Sequence, residues 1–220
     1  MRKRISVVPP WKNANFIGGH PALDLANTIS NRKQSTVDND LLRSVSDISS
    51  WCQSAGLISS PQARALIRYG SEELVDTVHH VRSHIWDVFD TVSDGGAPSS
   101  RAMGGLLRLA GLGVSAEIIA FSDAQMKTLT GNLAEPETIP PALALLALEA
   151  LFTLPKDRVR ACPGCGCLFV DTSRGGRRRW CSMRTCGNKE KAARHRHNNH
   201  MDPQDIRHDV AFRHMRLPGS

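Results

Sequence analysis

Apolar residues recur every three or four positions in one long stretch of this sequence. Leu74, Val75, Val78, Val81, Ile85, Val88, Phe89 and Val92 fall on a single stripe, the pattern of an amphipathic helix facing a core. Ser71 starts that helix and Asp94-Gly95-Gly96-Ala97-Pro98 ends it. Further helices are expected around it. Pro21 follows the Gly18-Gly19-His20 turn and suits a first helical position, with Leu23, Ala26, Asn27 and Ser30 continuing at helical spacing. Ser46 or Asp47 is expected to cap a helix to about Ala55, with Gly56 as its stop. Ser60-Pro61 opens another, which Gly70 ends. Ser99 or Ser100 caps one to about Ala110, and Pro140-Pro141 opens an apolar helix to Leu154 that Pro155 breaks. Residues 1–17 and 31–39 read as irregular. Val114 to Phe121 contains β-branched residues between Gly113 and Ser122-Asp123, which predicts a strand, with Gln125 to Thr130 as its hairpin partner.

Composition changes near Pro155-Lys156-Asp157, from Leu- and Ala-rich to Arg-, Gly- and Cys-rich. The chain therefore divides, as an expectation, into a mostly helical domain over 1–154, a small module over 155–200 and a tail over 201–220. The fold class is mainly α, with a small β-hairpin in the helical domain. The longest apolar run, Leu143 to Leu154, contains Glu149 and falls short of the roughly 18 residues that span a bilayer. Lys12 and Asn13 interrupt any signal-like run after Met1-Arg2-Lys3-Arg4. A cytoplasmic protein with no membrane partner is expected.

The net charge of +7 is unevenly placed. Residues 156–200 hold twelve Lys and Arg against three Asp and Glu, leaving sixteen against eighteen in the rest of the chain. A neutral body carrying one concentrated basic segment points to a polyanionic partner.

Five of the six cysteines lie in the same segment. A reducing compartment disfavours disulfides, so these are read as metal ligands. The spacing Cys162-x2-Cys165-x15-Cys181-x4-Cys186 fits one structural Zn²⁺ held by four thiolates. Pro163-Gly164 supplies the tight turn of the first pair. Leu168-Phe169-Val170 is expected as a strand, Ser173-Arg174-Gly175-Gly176 as a turn, and Arg178-Arg179-Trp180 as the returning strand, with Cys186 at the start of a final helix. Knuckle, hairpin and helix around one metal make a treble-clef-like zinc finger. Cys167 is the alternative to Cys165 as ligand, and otherwise packs as a small apolar group. His195, His197 and His200 are not needed as ligands. A four-thiolate site has no open coordination position, which argues against zinc catalysis.

These residues resemble the CGNR zinc-finger family of bacterial proteins. The resemblance runs through Cys162, Cys165, Leu168 to Arg174, Arg178 to Met183, then Cys186-Gly187-Asn188-Lys189 and Lys191. Lys189 stands where the family's name-giving Arg is expected, which keeps the charge but not the planar fork. The first cysteine pair is also more tightly spaced than in the family. Gly18-Gly19-His20-Pro21-Ala22-Leu23-Asp24-Leu25-Ala26-Asn27-Thr28 resembles the opening of the ABATE domain that precedes this finger. The resemblance implies a stress-related transcription regulator with an α-rich, ligand-sensing N-terminal domain and a DNA-binding finger.

The residues expected to meet DNA are Arg174, Arg177, Arg178, Arg179 and Arg184 near the hairpin, and Lys189, Lys191, Arg194 and Arg196 on the final helix. Lys191, Arg194 and His195 share a helix face. Trp180 is expected to cover the metal core. His20, Asp24 and Asn27 form a candidate ligand pocket for a small-molecule effector. The competing assignment for them is capping and buried hydrogen bonding near a domain interface. The function expected is a DNA-binding transcription regulator. The alternatives are a zinc-scaffolded protein-interaction module, or an enzyme with an N-terminal site. No P-loop, dinucleotide fingerprint or G-x-S-x-G is present, so the chain is read as a non-enzyme.

Overall fold

The computed structural model describes residues 11–34, 36–115, 133 and 135–200. Among these the fold is mainly α, with seven helices and one antiparallel pair of short strands. By its internal contacts the chain falls into two units, Met1–Cys181 and Ser182–Ser220.

The first unit is built on α4, Glu72–Ser93. All eight residues of its predicted stripe are buried, and Arg82 is buried with them. Around α4 lie α1 (Pro21–Ala26), α2 (Val45–Ser54), α5 (Ser100–Ser115) and α6 (Ile139–Thr153). α2 also packs against α3 (Ser60–Tyr69). Helix α6 buries Ile139, Pro140, Pro141, Ala142, Leu143 and Ala144 in succession, then Ala147, Ala150 and Leu151, so its first turn is enclosed on every side. Gly105 sits where α5 meets α4: a Cβ there would fall 2.3 Å from the His84 ring. The core joins Trp51, Leu66, Phe89 and Leu106, and it includes Val159 and Leu168 from the cysteine-rich segment.

Several expectations shift by local chemistry. The cap of α2 is Ser44, not Ser46 or Asp47. The Ser44 hydroxyl accepts from Asp47 N–H, and the Asp47 carboxylate accepts in return from Arg43 N–H and the Ser44 hydroxyl. Helix α5 continues past Ala110 to Ser115, so Val114 and Ser115 are helical rather than the start of a strand. The rest of that predicted strand, and its partner over 125–130, lie outside the described residues. Helix α3 opens at Ser60 and ends at Gly70, both as expected, with Ser59 as its N-cap.

Strand β1 (Val159–Ala161) pairs antiparallel with β2 (Leu168–Val170), with Arg160 opposite Phe169. Leu168 to Val170 is the strand expected. Its partner is not Arg178 to Trp180, which has no strand structure, but the segment before the knuckle. Arg178 spends its hydrogen bonds elsewhere. Its N–H donates to the Asp171 carboxylate at 2.8 Å, its Nε donates to Trp180 O at 2.9 Å, and its second guanidinium nitrogen donates to Cys181 O.

The second unit contains a π-helical turn, Met183–Gly187, that leads into α7, Asn188–His200. Among the described residues no helix is long and apolar enough to cross a membrane.

Candidate metal centre and its clamp

The first cysteine pair sits on a turn at the end of the β1–β2 hairpin. Cys162 N–H donates to Cys167 O and Gly166 N–H donates to Cys162 O, both at 2.8 Å. Gly166 closes the turn with φ of +79°, a left-handed conformation that glycine adopts without Cβ strain. The chain then passes the turn Ser173–Gly176, where Gly176 N–H donates to Ser173 O. Asp171 holds that passage together. Its buried carboxylate accepts from the N–H groups of Ser173 and Arg178. The Ser173 hydroxyl and these N–H groups hold its pKa below the usual carboxylate range. Arg178 lies over the Phe169 ring, 4.7 Å from its centroid.

The result is a cluster of sulfurs. Cys162, Cys165, Cys181 and Cys186 each offer one ligand atom, and these four atoms all lie within 4.8 Å of one another. Cys165 Sγ and Cys181 Sγ are 3.6 Å apart. A tetrahedron with metal–sulfur bonds of about 2.3 Å places its sulfurs roughly 3.8 Å apart, so the spacing suits one ion. The chemistry of the donors agrees. Side-chain hydrogen bonds from Cys162, Cys167 and Cys181 pull the Cys165 thiol far down. The hydrogen bonds with Cys162 and Cys165 push Cys181 far up. Thiols this crowded cannot all ionise unaided, and a cation at their centre removes that conflict. Cys167 is buried and pushed up to about 12, chiefly by its hydrogen bond with Cys165. It lies beside the four rather than among them.

The knuckle is held from outside by the N-terminal helices. Arg32 N–H donates to Cys165 O at 2.9 Å, and Lys33 Nζ donates to Pro163 O at 2.6 Å. The Arg32 guanidinium stacks over Trp86 and pairs with Asp90. On the hairpin's other edge, Val170 N–H donates to Gly18 O at 2.9 Å. Asn27 then acts as a one-residue strand beside β2. Its Nδ2 donates to Leu168 O at 2.7 Å, and its Oδ1 accepts from Leu168 N–H at 2.8 Å.

This places the three N-terminal residues singled out in the sequence. His20 caps α1: its Nδ1 accepts from Ala22 N–H at 3.1 Å, leaving Nε2–H to donate to Glu149 at 2.6 Å. Asp24 is buried and accepts from Gly18 N–H at 2.7 Å. Burial raises its pKa to about 6, against the opposing hydrogen bonds from Gly18 and Ile17. Gly18 has no room for a Cβ, which would meet Leu23 at 2.7 Å and Asp24 N at 2.9 Å. The polar atoms of the motif are thus engaged in capping α1 and gripping β2. Gly18, Arg32 and Lys33 were not singled out for this role, because nothing in a linear pattern indicates which distant strand edge a loop will cover.

Residues 19–156 match the ABATE family, described as "Putative stress-induced transcription regulator", and residues 158–199 match the CGNR zinc finger. The chain belongs to the ABATE family. A search of curated proteins finds no match. In this ABATE protein the opening motif and the finger's hairpin are therefore bonded to each other, and both families' signatures converge on β2.

The basic residues divide into two kinds. Arg178 is half-buried and turned onto backbone carbonyls and Phe169. Arg174, Arg177, Arg179, Arg184, Lys189, Lys191, Arg194 and Arg196 are exposed. Arg179 lies over the half-buried Trp180 ring at 5.4 Å. Cys52, outside the cluster, is fully buried in the helical core.

Proposed function

We propose that this protein is a cytoplasmic DNA-binding transcription regulator whose finger is shaped by one Zn²⁺ bound to Cys162, Cys165, Cys181 and Cys186. The ion would act as a scaffold: four thiolates fill its coordination and leave no place for water or substrate. We take the working division as a helical domain over 1–154, a finger over 155–200 and a tail over 201–220. The helical domain takes a small-molecule effector. The observation that supports the reading most is the chemistry around the sulfurs. Among the described residues eight exposed Arg and Lys side chains lie between Asp171 and Arg196, with Glu190 as the one exposed carboxylate. Asp171, the other acid there, is buried. Such a stretch carries little counter-charge of its own and suits phosphates. Arg178 serves by holding the passage into Cys181, and the exposed residues make the contacts.

The test is binding of zinc-loaded protein to a fluorescent duplex across a salt series. Affinity should fall steeply with salt, by about 0.9 log units per log unit of salt for each phosphate neutralised. An Arg177→Ala/Arg179→Ala variant that keeps its zinc should bind more weakly and show a shallower slope. Binding that is absent at low salt, or equal in the double variant, would overturn the proposal. A genome-wide selection with the same protein then reads the preferred site.

A further inference from the structure

The N-terminal helices leave a cleft of about 420 Å³ between α4, α5 and the start of α6. That size lies within the roughly 300–1,000 Å³ of small-molecule sites. Its walls are apolar: Leu74 from α4, Leu109 and Leu112 from α5, and Pro141 from α6. Leu112 is 64% exposed, a large side chain left facing solvent. Among the described residues the charged members of the lining are Glu73 and Glu137, with no Lys, Arg or His beside them. Two carboxylates beside an apolar cleft disfavour anions, and a neutral ligand would leave both carboxylates unused. A ligand with a broad apolar surface and a positive charge satisfies both features at once, since its charge is paired as its surface leaves water.

We propose that this cleft binds a hydrophobic organic cation, supplying the effector site of the regulator. The effector role rests on the DNA-binding reading; the binding itself does not. The cleft is distinct from the hydrogen-bonded motif of His20, Asp24 and Asn27, and none of those three lines it.

The charge requirement can be isolated with two probes of the same shape and opposite sign, tetraphenylphosphonium and tetraphenylborate. Each is titrated calorimetrically into the zinc-loaded full chain. Tetraphenylphosphonium should bind saturably at one site, and tetraphenylborate at least about tenfold more weakly. Glu73→Gln/Glu137→Gln should weaken the cation by about five- to tenfold, the scale of two partly exposed ion pairs. Thr77 lines the cleft and is half-buried, so Thr77→Trp should fill it and abolish binding. Should that variant fold poorly, the glutamine pair decides. Arg177→Ala/Arg179→Ala should bind the cation unchanged, so a failure of the DNA reading leaves this result standing. No saturable cation binding, equal binding of the borate, or full cation affinity in the glutamine pair would overturn the proposal.

Discussion

Replacing Asn27 by Ala removes two hydrogen bonds at once and leaves their partners stranded. The Asn27 side chain satisfies both the N–H and the C=O of Leu168, at 2.8 and 2.7 Å. Asn27 is 9% exposed and Leu168 is fully buried. The shortened side chain offers no substitute, so two buried backbone groups lose their partners. Each such group costs about 1–3 kcal/mol, which sets the expected loss at about 2–6 kcal/mol. This is a large fraction of a typical folding free energy. Asn27→Asp sharpens the point. Its carboxylate can still accept from Leu168 N–H, but its second oxygen then faces Leu168 O, so the variant should also lose stability despite its matching shape. The assay is urea unfolding of zinc-loaded protein, followed by circular dichroism and tryptophan fluorescence. Hydrogen exchange at the Leu168 amide reports the bond directly. A loss below about 1 kcal/mol for Asn27→Ala, with the Leu168 amide as protected as before, would refute the clamp.

Three further outcomes follow from the same geometry. Single Ser substitutions at Cys162, Cys165, Cys181 or Cys186 should each lower bound zinc well below one per chain, whereas Cys167→Ser should retain it; elemental analysis of purified protein reads the difference. Asp24 carries a raised pKa, about 6 when folded against an ordinary value near 3.9, so the fold favours its protonated form. That stabilisation is complete below about pH 4 and is lost as pH rises through 6. Relative to Asp24→Asn, the wild type should therefore lose about 2 kcal/mol between pH 4 and 7, measured by unfolding both proteins at each pH. Gly18→Ala should destabilise by about 1–3 kcal/mol, the scale of overpacking, because its Cβ would press on the Asp24 backbone; thermal unfolding checks it.

Much of the helical frame could be read from side-chain spacing, because an amphipathic helix repeats its apolar positions over several turns. The stripe from Leu74 to Val92 in α4 matches the burial residue by residue. Proline and glycine marked the ends of α3 and α6 to within a residue or two. The four cysteines could be picked out for a different reason: soft ligands must come in pairs on short turns, and that spacing survives in one dimension. Helix α5 was less legible, since Gly111 and Gly113 look like a stop, yet the helix carries on through them to Ser115.

Strand pairing lay beyond what spacing can express. Segments of three residues carry almost no periodicity, so spacing pointed to Arg178–Trp180 as the partner of Leu168–Val170 and left Val159–Ala161 unmarked. The choice was made by tertiary contacts. Val159 reaches the helical core, while Arg178 is drawn to Asp171 and to the carbonyls of Trp180 and Cys181. The same holds for the role of His20, Asp24 and Asn27. Their residue types announce hydrogen bonding, but a polar group acquires a purpose only from the partner that folding brings to it, and Leu168 lies 141 positions away from Asn27.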